Sequence, residues 1–194
     1  VATEIQEPKT NRLTLAGEVS PSVARSIKRW LLAGLLVRLI LMPISFHPDI
    51  IFINYAPHLL AYHSTVDVYS YLKDTSSDEK IRVYYPPLTC YTLAGAQFIS
   101  RPLATGFDEW IERAGYLQTN TESYAQHYVA LNETPYLLRY LFAMKLPYLF
   151  FDFGIAFLLM KMLADEKKKL RALKLWMVNP VTLHSAFMMG QLDV

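Results

Sequence analysis

The sequence predicts an all-α, polytopic membrane protein with a large outer loop of interfacial helices between its first two spans. Three observations lead there. The 194-residue chain is 53% hydrophobic and 13% aromatic, with only 19% charged residues, more apolar and less charged than an ordinary soluble domain. Its apolar residues gather into runs of helical length separated by polar or basic stretches. Its lysines and arginines concentrate at 25–29 and 167–171, as they do in cytoplasmic flanks. The net charge of only +2 offers no surface for nucleic acid, and the single cysteine, Cys90, excludes an intrachain disulfide and a cysteine-cluster metal site.

Taken in order, residues 1–24 are polar, with Pro8, Gly17 and Pro21, and read as a flexible tail. Residues 25–194 form one transmembrane module. Its first span, near 30–46, carries a single charge, Arg38, and at about 1.5 Å per residue is just long enough for the hydrocarbon core. The span stops in His47-Pro48-Asp49. An apolar helix ending this way delivers a carboxylate to one fixed depth, partly desolvated at the bilayer edge, which makes Asp49 the leading catalytic candidate. In 49–63, Asn54, His58 and Tyr62 recur at steps of four, a polar stripe on an apolar helix lying in the interface and bent at Pro57. His58 and His63 read as interface or packing residues, and no metal site is expected. Residues 84–100 are apolar but rich in Tyr and Thr, and 104–135 are mixed and polar, suited to short helices and loops. Two further apolar stretches give spans near 146–163 and 172–189.

Charge parity orders these pieces. With both basic clusters inside and the first span running outward, an odd number of further spans must lie between Phe46 and Lys167; 146–163 supplies one, so 84–100 does not cross and 47–140 is one outer loop. The third span then runs outward and brings Gly190-Gln191-Leu192-Asp193 to the face that carries Asp49. Arg38 and Asp152 are opposite charges at similar depths within the first two spans. By residue count from the outer ends they lie roughly 12 and 9 Å deep. An isolated charge there costs at least ~2.5–3.5 kcal/mol, so the two are expected to pair and fix the helix bearing Asp49. Lys145, nearer the surface, is expected to reach water.

His47-Pro48-Asp49, Tyr85-Pro-Pro-Leu-Thr89, Lys145-Leu-Pro-Tyr-Leu-Phe-Phe-Asp152, Asn179-Pro180 and Gly190-Gln191-x-Asp193 follow one another in this order. The set resembles the GT-C superfamily of membrane glycosyltransferases. It is closest to the polyprenyl- or dolichyl-phosphate-sugar-dependent kind: bacterial mannosyl- and hexosyltransferases and the glucosyltransferases of asparagine-linked glycan assembly. The Tyr-Pro-Pro-Leu-Thr block is its most specific part. The resemblance implies that the chain is the N-terminal portion of a longer enzyme. That enzyme would move a hexose, mannose or glucose, from a lipid-phosphate donor to a lipid-linked or other glycan acceptor. It would sit in a bacterial inner membrane or in the endoplasmic reticulum, with its active site on the outer or lumenal face. Asp49 would be the base and Asp193 the second acid, with His47, Tyr85 and Gln191 as substrate-binding neighbours. Asp193 is placed to orient the acceptor or hold a divalent cation, but no Asp-x-Asp or Glu-x-Asp stands at 47–51 to indicate a metal-dependent version. A lipid phosphate is already a good leaving group, so the chemistry needs one base on the acceptor hydroxyl and inverts the anomeric centre. The competing readings are a transporter, with Arg38 and Asp152 lining a path, and a non-catalytic membrane scaffold.

Overall fold

A computed structural model describes residues 20–75, 85–120 and 136–191, without the side chains of 75 and 115–120. Among these residues the chain is all-α, with no strand. Helix α1 is Pro21–Ile44, α2 Asp49–His63, α3 Val68–Thr75, α4 Pro87–Ser100, α5 Phe107–Asn120, α6 Leu137–Met162 and α7 Glu166–Met177. Helix α8 is one turn, Pro180–Thr182, that continues as a π-helix, Leu183–Met189. Among the described residues, only α6 is by itself long and apolar enough to cross a membrane; α1 and α2 pass the same test together but are bent by 91° at the break between them.

Local chemistry sets the boundaries. α1 begins at Pro21, inside the stretch expected to be a tail, because proline is preorganised for the first helical position and has no N–H to leave unbonded. The preceding Ser20 donates its backbone N–H (2.7 Å) and its hydroxyl (3.0 Å) to the Glu166 carboxylate. One acidic side chain thus serves the positive ends of two helices, α1 and α7, and the basic clusters 25–29 and 167–171 lie at the same end. Asp165 caps α7 by accepting from the Lys168 amide at 2.8 Å. α6 starts at Leu137, nine residues before the expected span, since nothing between Leu137 and Pro147 breaks a helix.

The run expected to span 172–189 is two helices. Pro180 brings no N–H, and the Asn179 side chain accepts instead from the Val181 amide at 3.1 Å, ending α7 and starting α8. Together α7 and α8 still lead from the basic end back to the α1–α2 corner. α2 also differs from expectation. Its polar stripe faces protein: Asn54 and His58 are buried, and Gln97 of α4 donates to both the backbone and side-chain oxygens of Asn54, at 3.1 and 3.0 Å. The polar side chains of α2 are thus matched across α4 and α5. α4, 14 residues long, reaches only about 21 Å and is too short to cross.

Apolar side chains also face outward in two rows, while three charged ones are buried. Leu32, Leu36, Ile40 and Ile44 form an outward stripe along α1, each more than half exposed, and Phe150, Phe151, Leu158 and Met162 do the same on α6. Arg38, Lys145 and Asp152 are buried among the helices.

Candidate active site at the helix corner

α1 ends because Ser45 turns extended, which strands the last carbonyls of the helix. The π-helix ends at Gly190, in the left-handed region at φ +75°, and strands its own. Both sets converge on one side chain. Lys145 Nζ donates to Met42 O (2.9 Å), Ser45 O, Phe187 O (2.9 Å) and Met188 O (2.8 Å), and is fully buried. A single ammonium therefore closes two helix C-termini, where cations are favoured. Lysine has three protons, so four carbonyls share them. The same junction is stitched by the His47 amide donating to Met189 O (2.9 Å), the Ser45 hydroxyl to Met188 O (3.2 Å) and the Tyr148 hydroxyl to Gly190 O (3.2 Å). Lys145 was expected to reach water; its stem instead turns inward, where unpaired carbonyls offset the loss of hydration.

Asp49 is the first residue of α2, one position past this junction. Its side chain is half exposed, while its neighbours Ile50 and Ile51 are fully buried. Its Oδ2 lies 3.0 Å from His47 Nδ1. Gln191 continues from the π-helix, its amide donating to Ser185 O at 2.9 Å, beside Gly190 and hence beside Ile50. Tyr85 packs against the cluster of Met42, Ile53, Leu93, Tyr148 and Phe187 beneath the corner, and its carbonyl accepts from the Tyr69 hydroxyl at 2.7 Å. The structure thus gathers His47, Asp49 and Gln191 at one junction with Tyr85 packed below. Asp193 lies outside the described residues. A groove of about 530 Å³ opens beside the end of α1, lined by Pro43, Pro102, Leu103, Phe142 and Leu146, with Arg139 as its charged side chain.

Gly190 fixes the closeness of this junction. A side chain there would be strained at φ +75°, and its Cβ would collide with Ile50 Cδ1. Gly190→Ala is expected to cost about 1–3 kcal/mol, the range for overpacking a filled site. Thermal unfolding of purified protein in detergent checks it, and an unchanged midpoint would mean the π-helix does not seat on Ile50.

Arg38 and Asp152 meet deeper in the bundle. Arg38 Nε donates to Asp152 Oδ2 at 2.7 Å, and Nη1 donates to Gly34 O and Met177 O, each at 3.1 Å. The guanidinium packs over Phe187 and Phe153, and Trp176 Nε1 donates to the Asp152 carbonyl at 3.3 Å. The pair joins α1, α6 and α7 and is not part of the corner. Arg38→Leu alone should cost about 3–5 kcal/mol by leaving a buried carboxylate unpaired, whereas Arg38→Leu/Asp152→Leu should recover most of that. A double mutant no more stable than the worse single mutant would show that the two charges are not coupled.

One group of metal-type ligands, His58, His63, Asp108 and Glu112, comes together among the described residues, between α2 and α5 and away from the corner. Sequence reasoning missed it, because Asp108 is separated from His58 by 50 residues and no spacing rule links them. Lys145 did carry a signal, a cation inside an apolar helix, which by itself demands a partner. Compared with family models, curated proteins and solved structures, the chain matches none.

Proposed function

We propose that the chain belongs to a polytopic membrane glycosyltransferase of GT-C type that moves a hexose from a lipid-phosphate donor to a glycan or lipid-linked acceptor. The observation that carries this reading is the junction at Lys145. Two motifs more than 140 residues apart, His47-Pro48-Asp49 and Gly190-Gln191, are held at one end of the bundle. The outward apolar stripes of α1 and α6 over inward charges support a lipid surround. With the basic end in the cytoplasm, the corner faces the outer or lumenal side. Arg38 and Asp152 bond each other beneath Phe153 and Phe187 and line no path, which disfavours a transporter.

In this reading Asp49 takes the proton from the acceptor hydroxyl as that oxygen attacks the anomeric carbon. The bond from that carbon to the donor phosphate oxygen breaks, and the lipid phosphate leaves with the electron pair. His47 Nδ1 orients the carboxylate, and the half-exposed Asp49 leaves room for a hydroxyl at hydrogen-bonding distance. The apolar groove suits a lipid chain, with Arg139 facing its phosphate. The lipid phosphate is already a good leaving group, so no general acid is needed.

Purified protein offered radiolabelled mannose or glucose on polyprenyl phosphate should transfer it with inverted anomeric configuration and should ignore the corresponding sugar nucleotides. Transfer from sugar nucleotides alone, or with retained configuration, would overturn the proposal.

A further inference from the structure

The histidine and carboxylate group between α2 and α5 has no part in the proposed transfer, yet its geometry is that of a ligand set. His58 and His63 both aim Nε2 at one oxygen, Asp108 Oδ1, with His63 at 3.1 Å. One turn further along α5, Glu112 Oε1 lies 3.3 Å from the same His63 nitrogen. The four ligand atoms all lie within 4.8 Å of one another. A tetrahedral Zn²⁺ with ligands at about 2.0–2.2 Å separates neighbouring ligand atoms by roughly 3.4 Å, so the His63 distances already match. The His58–Asp108 contact is closer than that and opens to admit an ion.

Ligand type and surroundings point the same way. His58 is fully buried, so its ring is held in one place by the surrounding packing. Tyr55, Tyr62 and Phe107 surround the ring. His63 and Glu112 are about half exposed and leave a way in. Two imidazoles discriminate against Mg²⁺ and Ca²⁺, which prefer all-oxygen sites, and favour Zn²⁺. The carboxylates of Asp108 and Glu112 supply the negative charge that one divalent ion balances.

We propose that His58, His63, Asp108 and Glu112 bind one Zn²⁺, which clamps α2 to α5. Four protein ligands make a closed, structural site. It anchors the far end of the helix whose first residue is Asp49.

The test uses Zn²⁺ alone, so it reads independently of any sugar transfer. The full protein in detergent is stripped with chelator and titrated by calorimetry, with Co²⁺ absorption as a second readout. The expected result is one Zn²⁺ per chain and a raised melting temperature. His63→Gln and Glu112→Gln, both at exposed positions, should keep wild-type helix content but weaken binding at least about tenfold, as even second-shell losses at zinc sites do. Exposed His184→Gln should leave binding unchanged. Absence of Zn²⁺ uptake by the folded wild type, uptake indifferent to both ligand variants, or uptake lost in His184→Gln would each overturn the proposal.

Discussion

Replacing Lys145 with methionine is expected to destabilise the protein by more than about 5 kcal/mol, since hydrogen bonds to a charged group contribute about 1.5–3 kcal/mol each and a buried acceptor left unmade costs about 1–3. Met42 O, Ser45 O, Phe187 O and Met188 O would all lose their partner at once. Methionine matches the length of the stem but supplies no donor. Lys145→Arg should fail as well. A planar guanidinium directs its protons outward in a fork and cannot serve four oxygens gathered around one point. Thermal unfolding in detergent, with helix content measured alongside, checks both. A Lys145→Met protein that melts like the wild type would mean that the ends of α1 and the π-helix find other donors. Any transfer activity should disappear with the junction, because the ammonium holds the corner from which Asp49 projects.

Much of this architecture could be read from residue order, and the failures have specific causes. The apolar runs located α1 and α6, because their outward stripes are apolar as well as their buried faces. Arg38 and Asp152 could be paired before any coordinates, since a charge at that depth is too costly alone and only two candidates stood at matching depths. Lys145 was expected to escape the same rule by reaching water, because backbone carbonyls were not considered, although two helix ends offer four acceptors. Asn179-Pro180 was visible as a break but was read as a tolerated kink; the capping bond from Asn179 to the Val181 amide ends the helix there. The stripe Asn54–His58–Tyr62 was real, but periodicity states which residues share a face and not what that face meets. Gln97 and Asp108 stand on helices that only the tertiary fold brings to it. At the corner, His47, Asp49 and Gln191 were legible because proline and glycine mark where chains turn, and the turns coincide in space.

The central claim is that Asp49 is the base of a sugar transfer, and substituting it separates chemistry from folding more cleanly than any other position. Asp49 is half exposed, and its carboxylate meets His47 Nδ1 at 3.0 Å. Losing a carboxylate at the first turn of a helix costs only about 0.3–1 kcal/mol, so Asp49→Asn should fold, express and melt nearly as the wild type does. Losing a general base costs about 10²–10⁴-fold in rate. The decisive measurement is therefore the turnover of Asp49→Asn with a polyprenyl-phosphate hexose, made on protein whose helix content and melting temperature match the wild type. The account predicts a fall of at least about a hundredfold; turnover close to wild type would remove Asp49 from the mechanism.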